Sequence, residues 1–62
     1  MEKISAGIVT YNPEMQRLEE NINAIIGQVD EVVLVDNGSA NIKEIEQKWE
    51  NASKISIIKN EG

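Results

Sequence analysis

Asp36 is the side chain best placed to do chemistry. It closes the run Val32-Val33-Leu34-Val35, and the polar residues Asn37, Gly38 and Ser39 follow at once. Four unbroken apolar residues, three of them β-branched, fit a strand buried on both faces, as in a parallel sheet with helices above and below. Ligands of open α/β sheets bind outside the carboxyl ends of the strands. An acid there is a fixed acceptor for a ribose hydroxyl or a base N–H. Gly38 lets the loop turn with φ > 0, where a side chain would clash. A second polar group, Thr10-Tyr11-Asn12-Pro13, closes an earlier apolar stretch. A tyrosine ring can pack on a base. Each group has a plainer reading too. Asp36 to Ser39 also reads as a loop closed by an Asx turn. Asn12-Pro13 starts a helix in any α/β protein, and Tyr11 suits a half-exposed core edge.

The elements that must position these groups follow from the apolar pattern. Ile4 to Val9 reads as a first strand, whose small residues Ser5, Ala6 and Gly7 would let helices approach closely. Pro13 pushes Asn12 out of the α region and suits the first helical position. Asn12 is then a natural N-cap, and Glu14 suits the positive end of the helix dipole. Met15, Leu18, Ile22, Ile25, Ile26 and Val29 form one apolar stripe, which predicts a helix over 13–28. Glu19, Glu20 and Asn23 fall on the other side, and Gly27 weakens the last turn. Val32 to Val35 is the second strand. Asn41 and Glu44 have the spacing of a capping pair. They introduce a second helix over 42–50, with Ile42, Ile45, Trp49 and Ala52 as its stripe. Trp49 suits a core anchor better than a ligand platform. Lys54 to Lys59 is the third strand, and Asn60-Glu61-Gly62 reads as the start of another loop.

The order β-α-β-α-β predicts an α/β fold with a three-stranded parallel sheet. Parallel crossovers are right-handed in about 98% of cases, so both helices should lie on one face. The opposite face would be bare and apolar. Since α/β sheets normally cover both faces, the chain is expected to be an incomplete piece that stops where the next helix should begin.

Composition narrows the chemistry. A folded chain near 62 residues buries only about 60% of the surface its unfolded form exposes, so it needs an idealised core, a staple or a partner. It has no Cys and no His, which removes disulfides and any thiolate or imidazole metal site. A net charge of −5 argues against a phosphate-contacting nucleic-acid surface. The amino terminus has no signal-peptide layout, and no apolar run approaches the ~18 residues of a membrane span. There is no Walker A loop and no G-x-G-x-x-G after the first strand.

The two strand tips together are more specific than either alone. Val9-Thr10-Tyr11-Asn12-Pro13, a helix containing Leu18, Asn21 and Ile22, then Gln28-Val29-Asp30, and Val35-Asp36-Asn37-Gly38-Ser39 resemble the start of family 2 glycosyltransferases. The likeness is nearest to the rhamnosyltransferase-like branch of bacterial polysaccharide assembly, and it covers essentially the whole chain. Asn60-Glu61-Gly62 looks like the beginning of that family's next nucleotide-site loop. The resemblance implies the GT-A fold, a Rossmann-like nucleotide-binding domain. It implies that Thr10, Tyr11 and Asn12 line a base pocket and that Asp36 binds the base or ribose of a UDP- or dTDP-sugar. Asn37 and Gly38 would shape the wall, with Ser39 as a loop residue rather than a ligand.

The resemblance further implies a saccharide or lipid-linked acceptor and a cytoplasmic parent enzyme at the inner face of the membrane. It implies a divalent metal, Mg or Mn, held by an Asp-x-Asp motif, and a later carboxylate base. No Asp-x-Asp occurs in this chain. Inverting sugar transfer needs a general base and charge stabilisation on the leaving diphosphate, so the chain alone is expected to be inactive. The rival reading is a small non-catalytic α/β module that associates with itself through the bare face or an open strand edge. A receiver-like or flavodoxin-like piece fits less well, because a receiver gathers acids near the end of its first strand and Thr10-Tyr11-Asn12 supplies none.

Overall fold

A computed structural model describes residues 2–60. Three strands, β1 (Ser5–Thr10), β2 (Glu31–Asp36) and β3 (Ile55–Lys59), alternate with two helices, α1 (Met15–Ile25) and α2 (Ile42–Trp49). The strands lie in the order β1-β2-β3 and both pairs are parallel. The predicted α/β class, element order and three-stranded sheet are those observed. Glu61 and Gly62, the end of the expected next loop, lie outside the described residues.

Register divides the sheet into two unlike faces. Ala6, Val32 and Ile55 share one row, Ile8, Leu34 and Ile57 the next, and Thr10, Asp36 and Lys59 the last. These rows face the helices. Leu18 and Ile22 of α1, with Ile45 and Trp49 of α2, pack on Val32, Leu34 and Ile55 to form the buried core. Both helices therefore cover the same face, as two successive right-handed crossovers require. The other face carries Gly7, Val33 and Ser56, then Val9, Val35 and Ile58. Val9 is 68% exposed and Ile58 53%.

This arrangement corrects the expectation that β2 is buried on both sides. Val32, Leu34 and Asp36 are buried, whereas Glu31, Val33 and Val35 are only half-covered. A continuous apolar run cannot distinguish one covered face from two, because side chains alternate whichever face is packed. Of the small residues of β1, Ala6 lies in the helix-facing row and is half-buried, but Ser5 and Gly7 do not face the helices. Gly7 is exposed and an added Cβ there would meet nothing within 4 Å, so no helix approaches it. Trp49 is a core anchor as expected.

The helix starts differ from expectation for one physical reason. Asn12 does not cap α1; its side-chain carbonyl accepts from the backbone of Ala40, 2.7 Å away. The helix accordingly begins two residues later than Pro13, after an extended Glu14 that makes no side-chain cap. Asn41 is the residue before α2, but it too makes no side-chain cap. Its amide donates instead to the carbonyl of Pro13 at 3.0 Å. Both asparagines link one loop to the other. At its far end α1 stops at Ile25 and unwinds through a turn, with Gln28 N–H bonded to the Ile25 carbonyl at 2.8 Å.

The two faces should respond unequally to mutation. Leu34→Ala is expected to cost about 2–5 kcal/mol and to abolish cooperative thermal unfolding of so small a core. Val9→Thr on the open face should change stability by no more than about 0.5 kcal/mol. Denaturation followed by circular dichroism distinguishes them, and equal losses would contradict the one-sided core.

Candidate functional site

The carboxyl ends of the strands gather most of the buried polar side chains. Thr10, Asp36 and Ser39 are the buried polar residues among those described. Asp36 occupies the helix-facing row because it follows Val32 and Leu34 in strand alternation, so its carboxylate is carried under the loop into α2. It is 2% exposed. A charge at such a depth is tolerated only when its acceptor sites are filled. They are. Oδ1 accepts from the Thr10 hydroxyl at 2.7 Å and from the Ser39 hydroxyl. Oδ2 accepts from the backbone N–H of Ser39 at 2.9 Å and of Gly38 at 3.2 Å. An ionised carboxylate has about four lone-pair sites, and four donors occupy them. Gly38 makes this wrap possible with φ 87, a conformation other residues rarely adopt.

Burial pushes the Asp36 pKa up. The hydrogen bonds from the Ser39 and Thr10 hydroxyls, and then from the Ser39 and Gly38 backbone, outweigh it and hold the carboxyl below its ordinary value. Asp36 therefore stays ionised and acts as an acceptor, not as a general acid.

Asp36 thus differs from the free acceptor expected of it. Its oxygens and the Thr10 hydroxyl proton are engaged in hydrogen bonds within the chain, while the Thr10 hydroxyl oxygen keeps its lone pairs. The plainer expectation, an Asx turn at Asp36, describes the local geometry well. What Asp36 does instead is bring the two loops together. The Ser39 hydroxyl oxygen also accepts from the backbone N–H of Asn12 at 2.8 Å. The N–H of Asn37 donates to the Thr10 carbonyl at 2.9 Å, and the N–H of Asn60 to the Asp36 carbonyl at 2.7 Å. Ser39, expected to be a passive loop residue, is central to this cluster. The only hint in the sequence was its place three residues after Asp36.

The exposed residues at the tips include Tyr11, Asn12, Asn37, Gly38 and Asn60. Tyr11 is 68% exposed, standing between two anchored neighbours. Asn60 Nδ2 donates to Asn37 Oδ1 at 3.1 Å, and the remaining side-chain groups of this pair are Asn37 Nδ2, a donor, and Asn60 Oδ1, an acceptor. A cleft of about 220 Å³ beside them is lined by Asp36, Gly38, Ser39, Ile42, Lys59 and Asn60. Small-molecule pockets usually measure about 300–1,000 Å³, so this cleft is smaller than a whole site of that kind. A larger depression of about 500 Å³, lined by Glu2, Lys3, Ile4 and Asp30, lies at the amino ends of the strands, away from the polar cluster. No three carboxylates converge among the described residues, and the oxygens of Asp36 are filled. These residues do not fit the divalent metal implied by the resemblance.

A three-stranded parallel sheet with both crossover helices on one face is an open, Rossmann-like α/β arrangement, and its polar side chains converge at the strand tips. Residues 5–62 match the model of a family described as glycosyl transferase family 2. The chain belongs to that family, and its β-α-β-α-β sheet is consistent with a part of the GT-A fold. No curated protein and no solved structure matches it.

Asp36→Asn should remove one acceptor and set an amide N–H against existing donors, at a cost of roughly 2–4 kcal/mol. The pH dependence has a definite sign. Because the folded-state pKa of Asp36 is depressed, its contribution to stability is present above the unfolded value of about 3.9. It is lost as pH falls from there through the lower folded value. Acid titration of the fold should show this limb in the native chain and a weaker one in Asp36→Asn; identical acid limbs would count against it.

Proposed function

We propose that this chain supplies part of the donor-nucleotide pocket of a glycosyltransferase that moves a sugar from a UDP- or dTDP-sugar. The acceptor is a saccharide or a lipid-linked saccharide, and the setting is the cytoplasmic face of a membrane. The parent is a rhamnosyltransferase-like member of its family. What carries the reading is the meeting of the family match with an exposed aromatic and two side-chain amides at one set of strand tips. Tyr11 stacks on the base. Asn37 and Gly38 form the wall, Asn12 the adjoining rim, and Thr10 and Asp36 support the pocket from beneath. In the parent enzyme, metal and base chemistry belong to residues other than these. The isolated chain binds without turning over.

A titration with UDP, dTDP and AMP followed by NMR tests this. UDP or dTDP should shift Tyr11 and Asn37 while AMP does not. Absence of any shift at those residues would overturn the reading.

A second reading concerns association and is favoured by the open face. Val9 and Ile58, both more than half exposed, flank Val35 in one row. An apolar row of this kind, beside unpaired strand edges, is a template for a second copy. Sedimentation of the chain at high micromolar concentration should show a folded dimer or larger species, and Val9→Lys should dissolve it. A folded monomer under those conditions would sink the idea.

A further inference from the structure

The β1–α1 loop holds a conformation that its own sequence does not supply. Asn12 has φ 45. The left-handed region costs an ordinary L-residue roughly tenfold in population, less for Asn, whose short polar side chain can bond locally. Here the compensation is not local. The Asn12 N–H donates to Ser39 Oγ at 2.8 Å, and Asn12 Oδ1 accepts from Ala40 N–H at 2.7 Å. Both partners lie on the other loop. Ser39 can accept well from Asn12 because its own hydroxyl proton goes to the Asp36 carboxylate, and successive hydrogen bonds polarise one another. The order is Asn12 N–H to Ser39 O–H to Asp36. A charge buried under β2 is thereby connected to the backbone next to Tyr11. On its other side Tyr11 follows Thr10, whose hydroxyl and carbonyl are both bonded to the β2 end.

We propose that Ser39 is a positioning residue: it relays Asp36 to the Asn12 N–H and so holds Asn12 left-handed, fixing the backbone from which Tyr11 projects at the edge of the nucleotide pocket. The inference rests on the nucleotide pocket proposed above and deepens it. Ser39 is 5% exposed, and its side-chain hydrogen bonds go to Asp36 and Asn12, so its influence on Tyr11 runs through Asn12. Asp36 acts by the same route.

The test uses the 62-residue chain with UDP as the probe. In the ligand-free chain, Ser39→Ala should lower the hydrogen-exchange protection of the Asn12 amide. It should also change the three-bond HN–Hα coupling of residue 12, which reports φ, while the resonances of Leu34 and Ile45 stay in place. UDP affinity should fall about tenfold, the size of one lost hydrogen bond. A second pair separates backbone conformation from the side chain. Asn12→Gly adopts φ 45 without strain and keeps the N–H, so it should bind UDP several-fold better than Asn12→Ala. The Asn12 pair decides by itself if Ser39→Ala does not fold. Ser39→Ala with an unchanged coupling, or with unchanged affinity, overturns the proposal and leaves the pocket intact. Equal affinity of the two Asn12 variants also overturns it. A native chain that UDP does not shift removes the pocket reading itself.

Discussion

A single buried carboxylate governs how this small fold closes. Asp36 sits under the loop into α2 with four donors on its two oxygens. An ionised group in such surroundings is very costly unless every acceptor site is filled. The donors come from two separate segments, Thr10 from the end of β1 and Gly38 and Ser39 from the loop after β2. Satisfying the charge therefore draws the ends of β1 and β2 together, and Asn60 N–H then joins the end of β3 to the Asp36 carbonyl. The strand tips are aligned by polar bonding, while the hydrophobic core lies further along the same strands.

The two forces divide the sheet lengthwise. Val32 and Leu34 face the helices and supply the apolar core, and Asp36 ends the same row. Alternation along one strand thus delivers both the packing and the site. It also explains the uneven cover: both helices cross on one side, so the residues between these positions, Val33 and Val35, are only half-covered. In a member of glycosyl transferase family 2, the tips are where ligand chemistry is expected of an open α/β sheet. Here the buried cluster supports that edge and the exposed side chains present it.

Local signals made much of the fold legible. Apolar periodicity located both helices, and β-branched runs located the strands within a residue or so. The order of elements and the handedness of crossovers then implied the parallel sheet and the shared helix face. The division of labour at the site was not legible. Asn12 and Asn41 each carry the signature of a helix cap, yet neither caps: Asn12 Oδ1 is taken by Ala40 N–H, while Asn41 is held through its Nδ2 on the Pro13 carbonyl, which leaves its Oδ1 buried without a partner. Ser39 looked incidental for the same reason: its second partner, Asn12 N–H, is 27 residues away.

The sequence by itself determined which residues lie in strands and helices and which tips are polar. These follow from steric and solvent preferences repeated every two or 3.6 residues. Only the tertiary structure decided that Asp36 is an internal hub and that Tyr11, Asn37 and Asn60 are the accessible groups. The side-chain row that a strand residue joins depends on where the helices pack. Hydrogen-bond partners are chosen by loops that become neighbours only after β1 and β2 pair.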